Sequence, residues 1–142
     1  MLIKPIGEDF RIIGYYLGRI FLVVAAASLL PMAWAVAGRE WHPFASFVLM
    51  ASLFALLGVL GLRARPSTDR LDWGHGMVVV ALTWVIVPVI GSVPFALSGH
   101  WVNPLDAIFD ALSGLSTTGL ALVQDLDHLA PSLNFWRHLL HF

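Results

Sequence analysis

The chain has 142 residues, of which 58% are hydrophobic and only 12% charged, and its formal net charge is −1. A soluble domain carries about 25% charged residues, so this composition cannot cover a water-exposed surface and points to an integral membrane protein. The lack of cysteine excludes disulfides and thiolate metal sites, and the slight negative charge argues against nucleic acid as a partner.

Three uncharged apolar stretches come first, at 20–38, 43–62 and 76–97. Each is near the length of about 20 residues that a helix needs to cross the hydrocarbon core of a bilayer. A cleavable signal peptide competes for the first, because Lys4 and Arg11 precede it and Ala33-Trp34-Ala35 resembles a cleavage site. Arg19 lies too late for such a leader and two more spans follow, so the stretch is read as a retained span. Pro31 in the first span, and Pro88, Gly91 and Pro94 in the third, predict kinks whose freed carbonyls find neighbours. Ser28, Ser46, Ser52, Thr83 and Ser92 are the polar side chains within the spans, expected to bond backbone carbonyls or pack helices.

Basic residues are unevenly placed. Lys4, Arg11 and Arg19 precede the first span and Arg63, Arg65 and Arg70 separate the second from the third, while only Arg39 lies between the first two. The positive-inside rule therefore puts the N-terminus and the 63–75 loop in the cytoplasm. Trp41, Trp73 and Trp101 are expected at membrane edges.

After Ser98-Gly99-His100 the chain is apolar again, but only over 104–115, about half a bilayer of helix. Asn103 is a good N-cap, Pro104 suits the first helical position, and Asp106 stands third, where a carboxylate favours the helix N-terminus. Asp110 is expected to share a face with Asp106 toward polar surroundings or the outer mouth. Leu105, Ile108, Phe109, Leu112 and Leu115 cover the remaining faces. Gly114 and Gly119 bracket Leu115-Ser116-Thr117-Thr118, a turn, and the polar run 124–128 returns the chain to the surface. Pro131-Ser132 opens another helix.

Non-helical backbone at membrane depth is tolerated only where protein or a wet cavity satisfies it. Carbonyl and hydroxyl oxygens there can replace a cation's hydration shell, and the short helix would aim its negative end at the same place. A surface amphipathic helix ending in an ordinary loop fits 103–120 equally well.

Other polar residues carry less. His138 and His141 are spaced i, i+3 without an evident third metal ligand. Arg137 must pair, snorkel or face a cavity, with Asp106, Asp110, Asp125 and Asp127 as partners to weigh. Asp125, Asp127 and His128 read as a solvated loop rather than a cation-attracting rim. Gly74-His75-Gly76 reads as a helix entry. With no catalytic triad, phosphate loop or dinucleotide fingerprint, an enzyme is not expected.

The run from Asp106 to Gly119, followed by Phe135-Trp136-Arg137-His138-Leu139-Leu140-His141-Phe142, resembles the Trk/Ktr/HKT superfamily of potassium transporters, most closely the bacterial Trk-type membrane subunit. The resemblance implies an all-α membrane fold: a cytoplasmic N-terminus and two-helix hairpin over 1–66, then a membrane helix–re-entrant pore helix–membrane helix repeat over 67–142. The pore helix would span 104–115 and the filter 116–121. Four such repeats surround one pore in the family, and this chain would supply the first quarter of the selectivity filter. Ser116, Thr117, Thr118, Gly119 and Leu120 would be the potassium-binding residues, with Gly119 favouring potassium over sodium. The resemblance implies potassium as the transported ion and implies no cofactor and no other metal. The implied partners are the lipid bilayer, the remaining pore repeats, a second copy in a homodimer and a cytoplasmic nucleotide-binding regulatory subunit, in the cell inner membrane. The family pattern continues beyond the position of Phe142 with a Gly-rich stretch and three more repeats, so the chain is expected to be an N-terminal fragment that does not conduct alone. Ser116 stands where the family commonly has threonine, and a hydroxyl is kept. A reading from another class is a small polytopic membrane scaffold or assembly protein without a pore.

Overall fold

The structure, a computed structural model, describes residues 7–67 and 71–141. Lys4, Arg70 and Phe142, used in the sequence reading, lie outside them. Seven helices follow in order: α1 (Gly7–Ala27), α2 (Leu29–Ala37), α3 (Trp41–Arg63), α4 (Trp73–Gly91), α5 (Val93–Leu97), α6 (Pro104–Leu115) and α7 (Pro131–Leu139). There is no strand among the described residues. Three stretches, Gly7–Ala37, Trp41–Arg63 and Trp73–Leu97, are long and apolar enough to cross a membrane.

The first of these starts well before the apolar run that announced it. Arg11 and Arg19 lie inside α1 and point outward, while Ile12, Leu17 and Gly18 are buried. An amphipathic stretch extends the helix past the point where continuous hydrophobicity stops.

Both α1–α2 and α4–α5 are single spans broken at a serine. Pro31 follows Ser28 by three residues and Pro94 follows Ser92 by two, each removing a helix N–H. The Ser28 hydroxyl donates to the Ala25 carbonyl at 2.6 Å and that of Ser92 to Val89 at 2.8 Å. Ser46, Ser52 and Thr83 bond carbonyls of their own helices in the same way. Near the second break, the Gly91 carbonyl accepts from the Trp136 indole at 2.9 Å.

Close packing of α1 on α3 runs through glycine. A Cβ on Gly18 would come within 2.8 Å of the Gly58 carbonyl oxygen and 2.9 Å of the Gly61 Cα. Only bare backbones approach this closely, the small-residue packing of membrane helices. Phe47, Met50 and Phe54 of α3 are fully enclosed beside this seam, with Phe95 and Trp136 nearby in the same core.

Polar links mark the two ends of the bundle. At one, the Glu8 carboxylate accepts from the Ser67 backbone N–H at 3.2 Å and from its hydroxyl, and His75 meets Asp9 at 2.9 Å. These contacts bring the starts of α1 and α4 to the end of α3, where Arg63 is the last helical residue and Arg65 follows it. At the other end, Glu40 accepts from the Ser132 backbone N–H at 3.2 Å and from its hydroxyl, fixing the start of α7 beside the α2–α3 turn. Trp41 and Trp73 are exposed at helix starts, as expected of interfacial residues. Trp101 differs: it is buried and stacks on Phe95, ring centroids 4.8 Å apart.

Candidate functional site

The site is built on α6. Its start is closed by a reciprocal cap: the Asn103 side chain accepts from the Leu105 and Asp106 backbone N–H groups at 2.9 and 3.2 Å, and Asp106 accepts from the Asn103 N–H at 3.3 Å. Pro104 occupies the first turn, where its missing N–H costs nothing.

The helix packs on α4, α5 and α7, through its small residues. Ala107, Ala111, Ser113 and Gly114 are buried, whereas Leu105, Phe109 and Leu112 face outward. The large apolar residues thus cover the outer faces of the helix and the small ones its packed face. Close approach is the reason: a Cβ on Gly114 would sit 3.1 Å from the Leu140 Cβ.

Asp110 also departs from expectation. It does not share a polar face with Asp106 but is only 2% exposed. One carboxylate oxygen accepts from the Trp101 indole N–H at 2.9 Å, the other from the Leu122 backbone N–H at 2.6 Å. A buried carboxylate needs such donors, and these come from before the helix and after the turn.

At the C-terminus of α6 the chain forms a complete Schellman closure. The Thr117 N–H bonds the Gly114 carbonyl at 2.8 Å and the Thr118 N–H the Ser113 carbonyl at 3.0 Å. Thr117 stands at the left-handed position, φ 55°, where glycine is usual, and Gly119 has φ 76°. The Ser116 hydroxyl donates to the Ser113 carbonyl at 3.2 Å and shares a 2.8 Å hydrogen bond with the Thr118 hydroxyl. The exposed backbone then runs on without helix to residue 123. Among the described residues none donates a hydrogen bond to the carbonyls of 117–121. A cavity of about 120 Å³ lies under the turn, lined by Phe109, Leu112, Ser113, Ser116, Thr118 and Leu120. Chemically, Ser116, Thr117, Thr118, Gly119 and Leu120 form one short, oxygen-rich segment, and helix carbonyls 113 and 114 are already used by the turn itself.

The remaining candidates lie apart from this segment. Asp125 bonds the His128 ring at 2.7 Å, which holds its carboxyl below the usual range. His141 Nδ1 meets the Arg137 carbonyl at 2.8 Å, and the His138 and His141 rings are 6.3 Å apart. Among the described residues no carboxylate lies within ion-pair distance of Arg137.

No protein-family profile matches the chain. Individual relatives do. An uncharacterised cation transporter of Methanocaldococcus jannaschii is 31% identical over 131 residues, 92% of this chain and 27% of that protein. The Trk system potassium uptake protein TrkH of Escherichia coli is 26% identical over 134 residues, 94% of this chain and 28% of its own length. TrkG of the same species is 23% identical over 133 residues, 93% of this chain and 27% of TrkG. The chain is thus similar over nearly all of its length to Trk potassium uptake proteins and to a cation transporter. It spans little more than a quarter of the length of the Trk relatives it matches. This similarity stands beside three helices long and apolar enough to cross a membrane.

Sequence reasoning missed two contacts of this segment: Trp101 and the Leu122 N–H as the partners of Asp110. The available signal was Asp110 itself, a carboxylate inside an otherwise apolar half-helix.

Proposed function

We propose that the chain contributes to a potassium uptake transporter, with α6 as a re-entrant pore helix and 116–121 as one quarter of a selectivity filter. Thr117, Thr118, Gly119 and Leu120 present backbone carbonyls to a dehydrated potassium ion, with Ser116 bracing the turn. No enzymatic step is involved; the ion exchanges water for fixed oxygens.

The observation that carries this reading is depth. The start of α7 is held at Glu40, at the bundle end, while Gly114 lies against Leu140, eight residues further along the chain. At 1.5 Å per residue, the C-terminus of α6 then sits about 12 Å in from that end. A helix lying on the surface would not descend beside α7. The C-terminal dipole of α6 favours a cation at the turn, and the carbonyls of 117–121 have no protein donor among the described residues. Arg63 and Arg65 share the end at which α1 begins, opposite Arg39, in keeping with a cytoplasmic N-terminus. The resemblance extends the proposal to three further pore repeats, a homodimer, a nucleotide-binding regulatory subunit and the cell inner membrane.

The test is a hybrid: Escherichia coli TrkH with this chain in place of the matched stretch, expressed in a strain lacking potassium uptake. The hybrid restores growth at low potassium, and Gly119→Ser weakens discrimination of potassium against sodium. A transporting hybrid whose selectivity is untouched by Gly119→Ser contradicts the filter assignment.

A further inference from the structure

We propose that Asp110 is a positioning residue for the filter, a buried carboxylate clamp that sets where the backbone of 117–121 lies relative to α6. This rests on the reading of that segment as cation-coordinating. The segment has two anchors. Its near end is fixed by the Schellman closure on the Ser113 and Gly114 carbonyls. Its far end, one residue past Ala121, is fixed where the Leu122 N–H donates to Asp110 at 2.6 Å. Between the anchors the backbone is exposed and no described residue donates to its carbonyls. The position of those oxygens therefore depends on what holds the two ends.

The clamp is itself braced. The second oxygen of Asp110 takes the Trp101 indole N–H at 2.9 Å, and Trp101 is buried and stacked on Phe95 of α5. Asp110 thus joins the segment before α6, α6 itself and the segment after the turn through one side chain. The Asp110 side chain is only 2% exposed, and a charged acceptor makes each bond stronger than a neutral one. Asparagine cannot replace it: its carbonyl oxygen accepts from one donor, and its NH₂ group faces the other.

Two arms test the clamp. In the first, the 142-residue chain in lipid nanodiscs is followed by amide hydrogen exchange. The Leu122 amide is protected in the native chain and exchanges about tenfold faster in Asp110→Asn, while the α6 amides keep their protection. Equal Leu122 rates overturn the clamp, and so does loss of protection throughout α6. In the second, Asp110→Asn, Trp101→Phe and the double variant are placed in the TrkH hybrid, with abundance and potassium-to-sodium discrimination both measured. Asp110→Asn lowers discrimination about five- to tenfold per inserted molecule. Trp101→Phe does so less, and the double variant is no worse than Asp110→Asn alone, as expected of residues acting as one unit. Discrimination that is unchanged, or that falls only in step with abundance, overturns the proposal. Gly119→Ser separates the two claims. If it alters selectivity and Asp110→Asn does not, only the clamp fails; if Gly119→Ser has no effect, the filter reading fails.

Discussion

Thr117 is a β-branched residue held in a backbone conformation that its side chain disfavours. It holds φ 55° at the closing position of the α6 turn, a conformation that costs an L-residue roughly 1–2 kcal/mol and glycine almost nothing. A strained residue that persists where a cheap one would fit points to a use for its side chain. Thr117→Gly should therefore raise the thermal stability of the chain by roughly 1 kcal/mol while raising the apparent KM for potassium uptake in the TrkH hybrid. A stabilised variant with unaltered uptake would mean that the hydroxyl has no functional part. At this scale the sequence was readable wherever the interaction is local. Asn103, Pro104 and Asp106 announce a cap because their partners lie within three residues. Asp110 does not announce its role, because Trp101 and Leu122 meet it only once the chain has turned twice, and no spacing rule encodes that meeting.

Among the elements, α6 was the easiest to read and the hardest to orient. Its bounds, Pro104–Leu115, coincide with the stretch between a capping signal and a Ser-Thr-Gly turn. Its packed face was not legible, because hydrophobicity favours burying Leu105, Phe109 and Leu112, whereas close helix contact favours burying Ala107, Ala111 and Gly114. The start of α1 was hidden for a related reason: Arg11 and Arg19 interrupt the apolar run without interrupting the helix. The cap makes a separable prediction. Asn103→Ala and Asp106→Ala should each cost on the order of 1 kcal/mol. They should lower the amount of hybrid in the membrane while leaving uptake per inserted molecule unchanged. Quantitative blotting beside uptake separates the two effects; a variant that inserts normally yet fails to transport would assign Asp106 a role at the ion path.

Taken whole, the described residues form a bundle of three membrane-length helices with the shorter α6 and α7 packed against them. Its polar links sort by end: Glu8, Asp9, Ser67 and His75 at one, Glu40 and Ser132 at the other. The exposed backbone of 117–121 and the outward Leu105, Phe109 and Leu112 are, in this account, the surfaces that the rest of the transporter covers. The all-helical class and the span count followed from composition and run length alone. The depth of the α6 terminus did not, since it depends on α7 passing beside Gly114. The chain contains no cysteine, so a single introduced thiol reports cleanly. With Leu120→Cys in a TrkH hybrid free of other cysteines, modification by a membrane-impermeant thiol reagent added outside is timed in potassium and in sodium. The account predicts slow modification that potassium slows further and sodium does not; rapid modification at one rate in both salts would contradict it.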